Sequence, residues 1–184
     1  MKTIVVAGFA RCGLTLTMQL LDAAGLPCRG RYPDYEIAGD IPWGHAKGKV
    51  VKLVNAIDNM PPTTLDCDFI LPRRNLKQQV KSIQKYHRLV TGNELCPKVL
   101  KKQLKKVNLR LFNETQNYRS LVFDFEDLIE EPLAVAHFMC DWLGIDADIQ
   151  SMARRVKRRS SKCYDGMLEN QLISVQINNK KCQM

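Results

Sequence analysis

The segment from Thr3 to Gly25 most tightly restricts what this chain can fold into. Its first part, Thr3 to Ala7, is an uninterrupted apolar run, which is typical of a strand buried on both faces of a parallel sheet. The glycine-containing stretch GFARCGLT follows at residues 8–15, and apolar residues then recur at helical spacing until Gly25. A strand, a tight loop and a helix in this order predict an α/β protein whose loop can hold an anion on backbone N–H groups.

The remaining sequence continues the same alternation of strands and helices. Strands are predicted at residues 49–54, 67–71 and 120–123, and helices at residues 75–87, 97–116 and 133–143. Residues 26–48 are rich in Gly, Pro, Tyr and Asp, so we expect an irregular flap over the site. We therefore expect one P-loop-type α/β domain over residues 1–184, a three-layer sandwich with a central, mostly parallel sheet of about four to five strands flanked by helices.

Composition narrows the choice of partners and compartment. The chain has 28 basic and 19 acidic residues, a net charge of +9, which favours anionic partners. Seven cysteines are scattered without a C-x-x-C pair, which predicts a reducing, cytoplasmic location and no metal site. No apolar run approaches the roughly 18 residues of a transmembrane helix. Nucleic acid is a possible partner of the basic C-terminal segment, residues 151–184, but aromatic residues are only 7% of the chain, so it is not favoured.

The loop has the frame of a phosphate-binding motif but lacks its lysine. Gly8, Gly13 and Thr15 match the pattern G-x-x-x-x-G-K-[ST], whereas Leu14 stands where a nucleotidase has lysine. Arg11 lies within the loop, three positions before the missing lysine. Its guanidinium offers a planar fork to a bound anion in place of a point charge.

These residues and two later segments resemble the sulfotransferase family. GFARCGLTL is similar to the family's 5′-phosphosulfate loop, G-x-P-[RK]-S-G-T-[TS]-L, with departures at Ala10, Cys12 and Leu14. RRNLKQQVKS is similar to the segment R-[ND]-P-x-D-x-x-x-S, with Arg74 and Ser82 at its key positions. The stretch that begins LVFDFEDLIEEP, residues 121–132, is similar to the family's L-x-Y-E-D-L-x-x-x-P pattern. The resemblance spans roughly residues 3 to 145.

The resemblance implies a cosubstrate and a division of roles. The cosubstrate is 3′-phosphoadenosine 5′-phosphosulfate (PAPS), which leaves adenosine 3′,5′-bisphosphate (PAP). Arg74 and Ser82 are implied to hold the 3′-phosphate, and a basic segment near the C-terminus, here with Arg155 and Arg158, to fold over it. Lys52 is implied to neutralise the bridging oxygen as the sulfuryl group departs. The loop residues implied to hold the 5′-phosphosulfate are Gly8, Arg11, Cys12, Gly13, Leu14 and Thr15.

The general base is the main departure from the family. Some members carry a histidine two residues beyond the lysine, and here that position is Val54. The flap offers four other side chains that could accept a proton from a hydroxyl group, of which Glu36 and His45 are the leading candidates: Asp34, Glu36, Asp40 and His45.

Four functions therefore stay open at the level of sequence. The leading one is a sulfotransferase that acts on a hydroxyl or amine acceptor. The second is a nucleotide kinase or NTPase, in which Asp124 at a strand end would hold magnesium, although Leu14 counts against it. The third is a binding module that has lost turnover, which Leu14 and Val54 favour. The fourth, a nucleic-acid-binding protein, depends on charge alone.

Overall fold

The computed structural model describes residues 2–37, 40–56 and 59–157. Within these ranges the chain forms four strands and six α-helices, and one short 3₁₀ turn, Trp43–His45, lies in the predicted flap. The strands are β1 (Thr3–Gly8), β2 (Val50–Val54), β3 (Cys67–Arg73) and β4 (Ser120–Asp124). The helices are α1 (Leu14–Ala23), α2 (Leu76–Thr91), α3 (Pro97–Thr115), α4 (Phe125–Glu130), α5 (Pro132–Leu143) and α6 (Ile149–Ala153).

The four strands form one parallel sheet in the order β2-β1-β3-β4. β1 is buried along its whole length, as its continuous apolar run predicts. In the register of the sheet, Val6 of β1 lies opposite Lys52 of β2 and Ile70 of β3. Because all strands run the same way, the segments that follow their carboxyl ends meet at one edge of the sheet, which we call the carboxyl edge.

Helices cover both faces of the sheet. Ile4 and Val6 of β1 face the apolar sides of α1, α5 and α6, whereas Val5 and Ala7 face the opposite way and share a core with Leu111 of α3. This alternation follows from the two-residue period of a strand. The predicted architecture, a three-layer sandwich with a central parallel sheet and helices on both faces, is confirmed.

Helix ends follow local signals in the sequence. Asn75 caps α2, because its side-chain oxygen accepts hydrogen bonds from the backbone N–H groups of the second and third helical residues. α2 continues to Thr91 rather than ending at residue 87, since Gly92, with φ of 75°, is the residue that supplies the left-handed C-terminal turn. α3 and α5 each begin with a proline, a residue suited to the first helical position.

Across the described ranges, no helix is both long enough and apolar enough to cross a bilayer.

Candidate functional site

The glycine loop connects β1 to α1 at the carboxyl edge and leaves the start of the helix open. Gly13 precedes α1 with φ of 109°, and no side chain caps the helix. An added Cβ on Gly13 would lie 2.4 Å from the Phe125 ring, so both backbone conformation and packing require glycine. The N–H groups of the first turn of α1 are therefore available to a negatively charged group.

Two loop residues contribute side chains to the core and not to the anion site. Cys12 and Leu14 are both buried, and a Cβ on Gly8 would lie 2.6 Å from the Cys12 sulfur. Burial raises the pKa of the Cys12 thiol to about 12. The position of the missing lysine is thus an anchor of the loop in the core, and Cys12 and Leu14 can approach a ligand only through their backbone.

Arg11, Arg74 and Ser82 meet beside the loop. Arg11 has φ of 68° and donates a hydrogen bond from Nε to Ser82 Oγ over 3.1 Å. Arg74 donates from Nη1 to the backbone oxygen of Arg11 over 2.9 Å, and its guanidinium lies 4.7 Å from the centre of the Phe125 ring. Arg11 is therefore in direct contact with two residues that follow it by 63 and 71 positions in the sequence. The side chain of Arg74 reaches back from the strand end to the loop, ahead of α2.

One face of α2 supports the loop. Asn75, Gln79, Ser82 and Tyr86 recur at helical spacing, and three of them hold loop residues or their neighbours. The buried Gln79 donates from Nε2 to the oxygen of Ala10 over 3.0 Å, and the Arg11 guanidinium lies 5.4 Å from the centre of the Tyr86 ring. The sequence analysis did not identify Gln79 and Tyr86, for which the available signal was this stripe of polar and aromatic residues at helical spacing.

Lys52 is buried beneath the flap and donates to three acceptors. Its ammonium group contacts Thr15 Oγ1 at 3.2 Å, Glu36 Oε1 at 2.5 Å and the backbone oxygen of Asp34. An ammonium group has three N–H donors, so each has an acceptor in this arrangement. The Glu36 side chain is 55% exposed, whereas Lys52 is almost completely buried. The lysine therefore joins the start of α1 to the flap, and the carboxylate is its most accessible partner.

Other predicted site residues lie elsewhere. His45 is exposed in the 3₁₀ turn, and the oxygen of the next residue, Ala46, accepts a hydrogen bond from Thr3 at the start of β1. This places His45 near the edge of the sheet at which the strands begin, opposite the carboxyl edge and roughly 16 Å from the loop along β1. The Arg155 guanidinium lies 5.8 Å from the Tyr32 ring, and no contact among the described residues joins it to Arg74 or Ser82. Arg158 lies outside the described residues.

Taken together, these elements define the kind of site. Three cationic side chains, two hydroxyl groups and the open start of a helix gather at the carboxyl edge of a parallel α/β sheet: Arg11, Lys52, Arg74, Thr15 and Ser82. This edge is where open α/β sheets bind ligands. The arrangement can hold an anion with more than one negative charge.

Solved structures share this fold. The mouse sulfotransferase SULT7A1 complexed with PAP superposes with a TM-score of 0.62 at 15% identity, over 89% of this chain and 69% of that chain. Retinol dehydratase, in complex with androsterone and the inactive cofactor PAP, superposes with a TM-score of 0.58 at 14% identity, over 85% of this chain and 64% of that chain. The chain thus spans about two thirds of each protein. No family model and no curated protein sequence matches the chain. At this identity the comparison shows a shared fold.

Proposed function

We propose that this chain is a sulfotransferase that uses PAPS and transfers the sulfuryl group to a hydroxyl or amine acceptor. The observation that carries the proposal is the meeting of Arg11, Arg74 and Ser82 beside the glycine loop, with Lys52 bonded to Thr15 at its other end. A ligand with a 5′-phosphate and a 3′-phosphate suits two adjacent sets of donors, one at the loop and the start of α1 and the other at Arg74 and Ser82. The PAP-bound neighbours of the same fold support this choice.

Each group has a role that its geometry suits. The first-turn N–H groups of α1 and the guanidinium of Arg11 hold the 5′-phosphosulfate, while Arg74 and Ser82 hold the 3′-phosphate. PAPS supplies the activated sulfuryl group, whose S–O bond to the 5′-phosphate breaks as a new bond forms from sulfur to the oxygen of a hydroxyl acceptor or the nitrogen of an amine acceptor. Lys52 stabilises the negative charge that develops on the departing bridging oxygen.

Glu36 is the proton acceptor in this proposal. It replaces the absent histidine at Val54, because its carboxylate already contacts the lysine that would stand at the reacting bond. The acceptor hydroxyl gives its proton to the carboxylate while its oxygen attacks the sulfur, which leaves the sulfated product and PAP. Glu36 must break its ion pair with Lys52 for this step, and because its side chain is exposed on the flap, the free energy of breaking that pair is small.

The kinase alternative has weaker support. Leu14 packs in the core and brings no positive charge to a phosphate, whereas a P-loop nucleotidase has lysine at this position. Asp124 is exposed at the end of β4 and would be the magnesium carboxylate of that alternative. The binding module without turnover stays as the outcome in which PAP binds and no transfer occurs.

Ligand-dependent melting and a transfer assay test the proposal. PAP should raise the melting temperature, because a ligand that binds only the folded state stabilises it, whereas ATP with magnesium should have little effect. Lys52→Met should lower transfer of labelled sulfate about 10²–10³-fold, with a much smaller change in PAP affinity. A shift with ATP and magnesium alone would favour the kinase. Tight PAP binding without transfer to sugars, phenols or amines would favour the binding module.

A further inference from the structure

One helical hairpin carries a large excess of positive charge. Residues 76–115, which comprise α2, the connecting turn and α3, contain ten basic and two acidic residues, a net charge of +8. The whole chain has a net charge of +9 and the basic C-terminal segment, residues 151–184, has a net charge of +6, so the residues outside these two segments are net acidic. A charge distribution this uneven gives the hairpin a strong field of its own.

The outward face of α3 carries most of this charge. Leu100, Leu104 and Leu111 bury one side of the helix against α2 and the sheet. The lysines lie on the remaining, exposed surface, and among the described residues none of them pairs with a carboxylate: Lys98, Lys101, Lys102, Lys105 and Lys106. The only acidic residue of α3, Glu114, lies near its C-terminal end, 3.8 Å from Arg110.

Apolar side chains are interleaved with these lysines. Val99 is 55% exposed, Leu109 is 63% exposed and Phe112 is 45% exposed. At 1.5 Å per residue they span about 20 Å of helix. Leu109 lies one turn from Lys105 and Lys106, so apolar and charged groups share the same surface.

This combination distinguishes between anionic partners. A soluble polyanion neutralises the lysines but leaves the exposed Leu and Phe side chains in water. An acidic lipid surface accepts both, because lysines reach the headgroup phosphates while apolar side chains enter the boundary of the acyl chains.

We propose that the outward face of α3 docks on an acidic lipid bilayer, with the helix axis parallel to the membrane plane. Leu109 and Phe112 enter the interface, and the lysines around them contact anionic headgroups. The proposal does not depend on sulfuryl transfer, since none of these residues belongs to the candidate site. It predicts peripheral, salt-sensitive attachment, because an electrostatic contact with the headgroups is screened by ions.

Sedimentation with vesicles tests this surface in the full chain. The protein should sediment with vesicles that contain phosphatidylserine and phosphatidylcholine and stay in the supernatant with phosphatidylcholine alone. The double variant Lys102→Gln, Lys105→Gln should lower partitioning about 25-fold, or about fivefold per lysine. Leu109→Gln should lower it about fivefold through lost apolar contact.

Matched controls come from other surfaces of the molecule. Lys47→Gln removes an exposed lysine far from the hairpin in sequence, and Leu133→Gln removes an exposed leucine from α5. Both should leave partitioning unchanged. All the substituted side chains are exposed, and an unchanged melting temperature for each variant would show that its fold is intact.

Two results would overturn the proposal. If the wild-type protein ignores phosphatidylserine vesicles at low salt, the surface does not dock on lipid. If the lysine variant loses binding while Leu109→Gln keeps it, and heparin or RNA competes fully, the surface binds a soluble polyanion instead.

Discussion

Glu36 forms an ion pair with Lys52, so its negative charge should oppose the binding of another anion to the same ammonium group. Glu36→Gln removes this charge and keeps the shape of the side chain. We predict that the variant binds PAP more tightly and transfers sulfate more slowly. The two effects have opposite signs because the carboxylate competes for Lys52 in the free protein and accepts a proton during the reaction.

The structure limits the size of the gain in binding. The 2.5 Å contact joins a buried ammonium group to a carboxylate that is 55% exposed. Because solvent screens the carboxylate, the pair belongs with exposed ion pairs, and because the ammonium group is buried, its contribution lies near the upper end of their range, about 1 kcal/mol. Release from this competition corresponds to about fivefold tighter binding of PAP. Loss of a general base typically lowers the rate about 10²–10⁴-fold.

Calorimetric titration of PAP and the labelled-sulfate assay measure the two effects separately. Asp34→Asn is the matched control, because it also removes one negative charge from the flap. Asp34 contacts Lys52 through its backbone oxygen, and its carboxylate accepts a hydrogen bond from the Glu36 N–H over 3.2 Å. The control should therefore leave PAP affinity nearly unchanged.

A result in which Glu36→Gln binds PAP as weakly as wild type, or more weakly, would refute the competition for Lys52. Equal gains in the two variants would show that general charge on the flap, and not the contact with Lys52, determines affinity. Unchanged transfer would remove Glu36 as the proton acceptor.

Three further predictions concern the loop. Arg74→Ala should weaken PAP by about 1.5–3 kcal/mol and also weaken adenosine 5′-phosphosulfate in titrations, because Arg74 supports a loop oxygen; an unaffected phosphosulfate would contradict this coupling. Gly13→Ala should lower the free energy of unfolding by about 2–4 kcal/mol in urea, since the new methyl group meets Phe125 at a positive φ; a loss below 1 kcal/mol would contradict the packing. In the folded protein at pH 8, iodoacetamide should label the exposed Cys96 and spare Cys12, whose burial raises its thiol pKa to about 12; labelling of both in peptide mass maps would show that the loop opens.

The order of strands and helices was predictable because each long element has its own local pattern of apolar residues. The continuous apolar run of β1 and the stripe of Leu100, Leu104 and Leu111 are properties of residues close together in sequence. The short helices α4 and α6, of six and five residues, were missed because neither completes two turns. The order of strands in the sheet was also not predictable from separate segments, since it depends on how the crossovers pack.

The candidate site was likewise predictable only in part from the sequence. The motif resemblance indicated Arg11 for the 5′-phosphosulfate and Arg74 with Ser82 for the 3′-phosphate, and in the structure all three are in contact. The ion pair of Lys52 with Glu36 joins residues 16 positions apart through an irregular flap, where no period reveals which side chain turns inward. His45 was an equal candidate in the sequence for the same reason. Its distance from the loop became evident only through the backbone contact of its neighbour with Thr3.

The central position of β1 has a consequence for how the protein folds. Ile4 lies opposite Val50, 46 residues later, and Val6 lies opposite Ile70, 64 residues later. Among the four strands, β2 pairs only with β1, and β1 is synthesised before both of its neighbours, β2 and β3, so it waits for them. Closure of such long loops places the sheet among the slower-folding topologies. The glycine loop is continuous with β1, so it acquires its shape only as these distant pairings form, and a nascent chain has no anion site until they do.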